Sequence, residues 1–231
     1  MIVQLQAADG AGLAGNPFST RHTRPGRIIA LDGHGRPRDI EALLCLLAAR
    51  GGRAAIRGPH GSGKTTLLEH LARRLAADGA TVARVRLRSW RDAPLSALRD
   101  IAVALGAILR CPAGGTVCID SWEQLGRTGA VIAKLLASLR RCGLLVTTHR
   151  DTCLPLLAAG DTTPALLAAI VRMLPGSDNW IGAVVAPADI EDAFEKSAGN
   201  IREALYELYD RFEERTKAGS LEATRRQVDG L

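Results

Sequence analysis

No apolar run in this sequence approaches the ~20 residues that a bilayer-crossing helix needs, which excludes a helical membrane span. The opening stretch MIVQLQAADGAG lacks both a basic start and a long apolar segment, so no secretory leader is expected there and the chain is expected in the cytoplasm, with no membrane partner. The five cysteines, Cys45, Cys111, Cys118, Cys142 and Cys153, include no C-x-x-C pair and no His/Cys cluster at zinc spacing. They read as buried or incidental thiols of a reducing compartment. Lysine is scarce as well: Arg outnumbers Lys 26 to 4, a bias that coding alone can produce.

With 231 residues, 47% of them hydrophobic and 23% charged, the chain has the composition of a globular protein able to build one sizeable core and a small appended domain. Its net charge of +6 is unevenly spread. Residues 1–150 carry 22 Lys and Arg against 10 Asp and Glu, whereas residues 151–231 carry 8 against 14. A basic part therefore precedes an acidic one. Either the two dock on each other or on a neighbouring copy, or the basic part meets nucleic acid.

Apolar periodicity alternates along the chain. NPFSTRHTRPGRIIALDGHGRP has no sustained period and reads as an arm or loop. In RDIEALLCLLAAR, Ile40, Leu43, Leu44, Leu47 and Ala48 share a helical face, which Gly51-Gly52 ends. RAAIRG is a short apolar strand, and the helix after it carries Leu67, Leu68, Leu71 and Leu75 on one side. TVARVRL, a helix over PLSALRDIAVALGAIL, TVCID, a helix over AVIAKLLASLRR, and GLLVTT follow. Strands alternating with helices predict an α/β fold with a mostly parallel central sheet. Thr81 to Arg88 differs by placing Arg84, Arg86 and Arg88 on one face, the pattern of an edge strand whose arginines meet solvent or an acidic partner.

Between the strand RAAIRG and its helix, Gly58, Pro59, His60, Gly61, Ser62, Gly63, Lys64 and Thr65 fill G-x-x-x-x-G-K-[ST] position by position, with Thr66 next. Glycines in such a loop let backbone N–H groups turn onto phosphates, and the helix N-terminus adds its positive end. Lys64 is placed to reach the terminal phosphates and Thr65 to offer a hydroxyl to Mg²⁺. Asp120 ends the apolar run TVCI, so its carboxylate is expected at the C-terminal edge of the sheet as a second metal-side group. ATP and Mg²⁺ are the expected ligands.

These residues resemble a Walker-type P-loop NTPase, and the rest of the chain resembles the AAA+ branch in particular. There, a strand after the Walker B acid ends in a polar sensor residue, and a small helical lid carries a second sensor, an arginine near the start of a helix. GLLVTTHR resembles the first element, with Thr147 or Thr148 in the sensor position; SAGNIREALYELYDRF resembles the second, with Arg202 in place. The residues around Arg202 agree on their own terms: Asn200 can cap a helix, Glu203 can complete a capping box, and Ile201, Leu205, Leu208 and Phe212 make one apolar face. The arm and DSWEQL also look like a group of uncharacterised bacterial P-loop proteins.

The resemblance covers roughly residues 38–215 and departs at one point. The family usually places Glu directly after the Walker B Asp to polarise the attacking water, whereas Ser121 follows here and the acid is Glu123, which either serves as the base or begins the next helix. Arg127, Arg140, Arg141 and Arg150 are equal candidates for an arginine finger acting on a neighbouring copy. No N-K-x-D guanine signature and no LSGGQ-like signature is present, which argues against a Ras-type GTPase and a transporter cassette.

The resulting expectation is an N-terminal arm over 1–37, a P-loop core over 38–155, a helical lid over 156–218 and a tail over 219–231. The chain is expected to be a Mg²⁺-dependent ATPase that acts on a protein or nucleic-acid client, with a homo-oligomer open. Lys64, Asp120, Glu123, Thr148 and Arg202 carry the expected chemistry. A small-molecule or nucleoside kinase, and a switch that binds ATP without hydrolysis, are the competing readings.

Overall fold

The computed structural model describes the backbone of residues 15–88 and 94–229, and the side chains of 15–88 and 98–219. After a four-residue helix α1 (Thr20–Thr23), helix α2 (Ile40–Ala49) begins where the Asp39 carboxylate accepts the Ala42 N–H at 2.9 Å. It ends at Gly51 and Gly52, whose φ values of 67° and 73° suit glycine. The core then alternates: β1 (Arg53–Arg57), α3 (Lys64–Ala77), β2 (Val82–Arg86), α4 (Pro94–Arg110) and β3 (Thr116–Asp120). A 3-10 turn (Trp122–Leu125), α5 (Gly126–Arg140), β4 (Gly143–Thr148) and β5 (Leu156–Ala159) complete it.

The five strands pair in parallel in the order β2-β3-β4-β1-β5. Strand parity divides the core. Ala54, Ile56, Cys118 and Leu145 pack with α2 and α3 on one face, and Ala55, Val117, Ile119, Leu144 and Val146 pack with α4 and α5 on the other. β3, covered on both faces, has all five residues buried. β2 has only Val85 buried and lies at the edge, as its alternating arginines predict. Those arginines turn back onto the protein's own acids: Arg84 lies 3.8 Å from Glu69 and Arg86 3.0 Å from Asp120.

β5 corrects the expected boundary at 155, because it adds to the sheet beside β1 and carries the core to residue 159. Its four apolar residues fit a strand or a short helical segment equally well in sequence.

Beyond it, α6 (Pro164–Arg172), α7 (Ser177–Trp180), α8 (Pro187–Lys196) and α9 (Ile201–Asp229) form a helical lid. α9 runs through the expected lid end at 218. The apolar face expected of it is buried at Ile201, Leu205, Leu208 and Phe212. The arm contributes Phe18 and Leu31 to the same core. The molecule is thus an α/β P-loop NTPase fold with a parallel sheet and a small C-terminal helical lid. Among the described residues no helix is long and apolar enough to cross a membrane.

Candidate functional site

The chemistry-bearing residues collect at the C-terminal edge of the sheet, where β4 lies between β1 and β3. The chain leaves β1 toward one edge of the sheet and returns from β4 past β1 to the other. A crevice at such a reversal is where open α/β sheets hold ligands.

The glycine loop fills that crevice. Gly61 and Gly63 have φ values of 80° and 77°, and Ser62 Oγ donates to Pro59 O at 3.0 Å. Gly63 leads directly into α3, and the first intrahelical acceptor, Gly63 O, takes the N–H of Leu67. The N–H groups of Lys64, Thr65 and Thr66 therefore start the helix without an intrahelical acceptor, the arrangement that attracts anions.

Two close approaches brace the loop. A Cβ on Gly58 would lie 2.5 Å from Gly160 O, and one on Gly61 would lie 2.6 Å from Asn200 Oδ1 and 2.7 Å from Ile201 N. The N-terminus of α9 thus abuts the loop, so a second helix directs its positive end there and sets Arg202 near Lys64, whose ammonium it opposes. Asn200 Oδ1 accepts the Arg202 N–H at 3.2 Å. The expected capping box does not close in its usual form, because the Asn200 N–H donates to Ser197 O at 2.9 Å.

Asp120, only 8% exposed, is held on three sides. Thr65 Oγ1 lies 3.1 Å from both carboxylate oxygens, Thr147 Oγ1 donates at 2.5 Å, and Arg86 Nε donates at 3.0 Å. Parity decides which threonine arrives. Thr147 shares the α3 face with Leu145, whereas Thr148 turns away, its hydroxyl donating to Arg150 O and accepting the Arg150 N–H, both at 3.1 Å. Of the two sensor candidates it is Thr147, not Thr148, that meets the carboxylate.

Ser121, in the position usually held by Glu, adopts φ 67° and ψ 50°, a left-handed conformation rare outside glycine. Its N–H donates to Thr147 Oγ1 at 3.0 Å. This bend starts the 3-10 turn and carries Glu123 back toward the loop, so the glutamate both begins a helix and faces the site. Glu123 Oε1 lies 3.8 Å from His149 Nε2, and its Oε2 is buried with no hydrogen-bond partner among the described residues. Lys64, also 8% exposed, donates from Nζ to Pro59 O at 2.6 Å and lies 3.4 Å from His149 Nδ1. Burial pulls its pKa down to about 8, while Glu123 and Asp120 oppose the shift, so the group is an ammonium at neutral pH.

Arg140 and Arg141 lie at the opposite edge of the sheet: Arg140 donates to Cys111 O at 3.3 Å, and Arg141 O accepts the Gly114 N–H at 3.0 Å. Arg127 and Arg150 are exposed on the loop side, at the start of α5 and just after β4. His149, Arg86 and Gly160 lie outside the motif. For the first two, the available signals are a histidine two residues beyond the sensor strand's threonine pair and parity along β2.

The donor set fits Mg²⁺. Thr65 and Asp120 offer hard oxygens at one point, and among the described residues no group of three or more His, Cys, Asp or Glu gathers as an all-protein cage. Such a pair leaves the remaining coordination to phosphate oxygens and water, as Mg²⁺ prefers.

Neither a protein-family model nor a curated protein matches the sequence. Among solved structures, that of C. elegans PCH-2 matches with a TM-score of 0.40 and 15% identity, over 77% of this chain and 69% of that one.

Proposed function

We propose that the chain binds ATP with Mg²⁺ between the phosphate loop and the lid and hydrolyses it, as an AAA+-like ATPase coupling nucleotide state to motion of the lid or of a neighbouring copy. The observation that carries this reading is the convergence of Lys64, Thr65, Asp120 and the unpartnered Glu123 oxygen on one glycine loop that the N-terminus of α9 abuts. The loop N–H groups and Lys64 bind the phosphates. Thr65 and Asp120 hold the cation, which when bound offsets phosphate charge. Glu123 accepts a proton from the attacking water. Arg202 adds a cation from the lid side. The client is a macromolecule, a protein or a nucleic acid, and the basic first 150 residues are the side on which a polyanion would dock.

Product identity tests the reading. Free phosphate released from Mg·ATP without an acceptor is the expected result. ADP formation that needs an added acceptor would make the protein a kinase, and tight binding without turnover would make it a switch. Lys64→Ala is expected to weaken ATP binding by tenfold or more, on the order of the 1.5–3 kcal/mol of a charge-assisted hydrogen bond, with an unchanged melting temperature. Equal ATP affinity in variant and parent would end the loop assignment.

A further inference from the structure

We propose that His149 is the positioning residue for Glu123: its imidazole links Lys64 on the phosphate loop to the Glu123 carboxylate and holds that carboxylate toward the site. The catalytic consequence rests on the ATPase reading above; the pairing itself does not.

Glu123 needs such an anchor. A glutamate directly after the strand acid is fixed by the strand, but this one stands in a 3-10 turn beyond the Ser121 bend. Its side chain is 15% exposed, and one of its oxygens has no hydrogen-bond partner among the described residues. What faces the other oxygen is the half-buried ring of His149, with Nε2 3.8 Å from Oε1. On the far side of that ring, Nδ1 lies 3.4 Å from Lys64 Nζ, and His60 covers one face with ring centroids 3.7 Å apart.

The neighbours dictate the tautomer. An ammonium only donates, so Nδ1 must accept from Lys64 and the single proton of the neutral ring sits on Nε2, facing Glu123. Burial first, then the charges of Lys64 and His60, favour the neutral imidazole, with Glu123 and a hydrogen bond to the Gly58 backbone acting the other way. At 3.8 Å the Nε2–H reaches Oε1 through a small ring rotation or one bridging water. That leaves Oε2, buried and without a hydrogen-bond partner among the described residues, as the oxygen not tied to the ring, and a general base needs one oriented oxygen and one free. The lysine that binds phosphate therefore also sets which nitrogen of His149 addresses the base.

Two measurements decide the proposal. In the nucleotide-free protein labelled with ¹⁵N-histidine, NMR at pH 7 is expected to find His149 as the Nε2–H tautomer, and Lys64→Ala to weaken that preference. An Nδ1–H tautomer would overturn the proposal. In single-turnover ATP hydrolysis, His149→Ala is expected to lower the rate about 10- to 100-fold while nucleotide affinity moves less than about twofold, the signature of a misplaced catalytic group. His149→Gln, whose amide nitrogen takes the place of Nε2, is expected to restore most of the rate; His149→Asn, which keeps only the acceptor toward Lys64, is not. Parental turnover in His149→Ala would also overturn the proposal. A parent that binds ATP without turnover would instead defeat the ATPase reading, and the tautomer would still decide the pairing.

Discussion

At the scale of single residues, the site separates two acids that sequence alone leaves entangled. Asp120 is held by Thr65, Thr147 and Arg86, whereas Glu123 keeps an oxygen without a partner among the described residues. Their variants should therefore differ. Glu123→Gln is expected to keep Mg·ATP affinity and lose about 100-fold or more in hydrolysis, the scale of positioned general-base catalysis. Asp120→Asn is expected to weaken the Mg²⁺-dependent part of ATP binding as well. Binding by titration calorimetry and turnover by phosphate release separate the two, and parental hydrolysis in Glu123→Gln would place the base elsewhere. Lys64 and Thr65 are legible because their motif fixes both residue type and spacing, and Asp120 because it ends an apolar strand. The Thr147/Thr148 choice was not, since two adjacent polar residues at a strand end can be told apart only once the strand's facing is known.

At the scale of elements, most strands and helices follow from period and glycine placement, while β5 escaped because four apolar residues carry no period of their own. The approach of α9 to the loop is implied only by the resemblance that puts Arg202 at the site, since nothing in local sequence says which distant backbone will meet Gly61. A charged network inside the lid was likewise unread. Asp189 in α8 accepts Arg215 Nη1 at 2.5 Å and Nη2 at 2.8 Å, Arg211 at 3.3 Å and the Ala186 N–H at 2.7 Å, with its side chain 13% exposed. The Arg215 hydrogen bonds, chiefly, hold its pKa at about 2 against burial, which pushes it up. Because the folded value lies below the unfolded one, this stabilisation is complete above about pH 4 and is lost as pH falls through about 2. Asp189→Asn is expected to cost about 2 kcal/mol at pH 7 and about half of that near pH 3, read from urea unfolding at the two pH values. A gap independent of pH would mean that packing, not charge, holds α8 to α9.

At the scale of the whole molecule, the buried apolar residues among those described form two clusters on the faces of the sheet and a third inside the lid, and the arm is threaded between them. Ala30 belongs to the cluster of α2 and α3, while its neighbour Leu31 belongs to the lid cluster. Arg73 and His70 of α3 contact the arm carbonyls of Gly26 and Ile28 at 2.7 and 3.0 Å. Asn16 donates to Tyr209 O at 2.9 Å and Glu213 Oε1 at 3.2 Å on α9. The arm is thus a strap joining the lid to the helix that follows the phosphate loop. Its strongest lid anchor is Phe18, 1% exposed, with its ring edge-on to Trp180 at 5.1 Å and to Phe212 at 6.1 Å. Phe18→Ala is expected to cost the lid about 3–5 kcal/mol, as large-to-small changes at buried aromatics do. Since the described buried residues of the lid form a cluster of their own, apart from those on the two faces of the sheet, that loss should stay local. Hydrogen exchange should rise across α6 to α9 and in the arm while β1, β3 and β4 keep their protection; a uniform rise would mean that lid and sheet unfold as one unit, leaving ATP no separately moving part to drive.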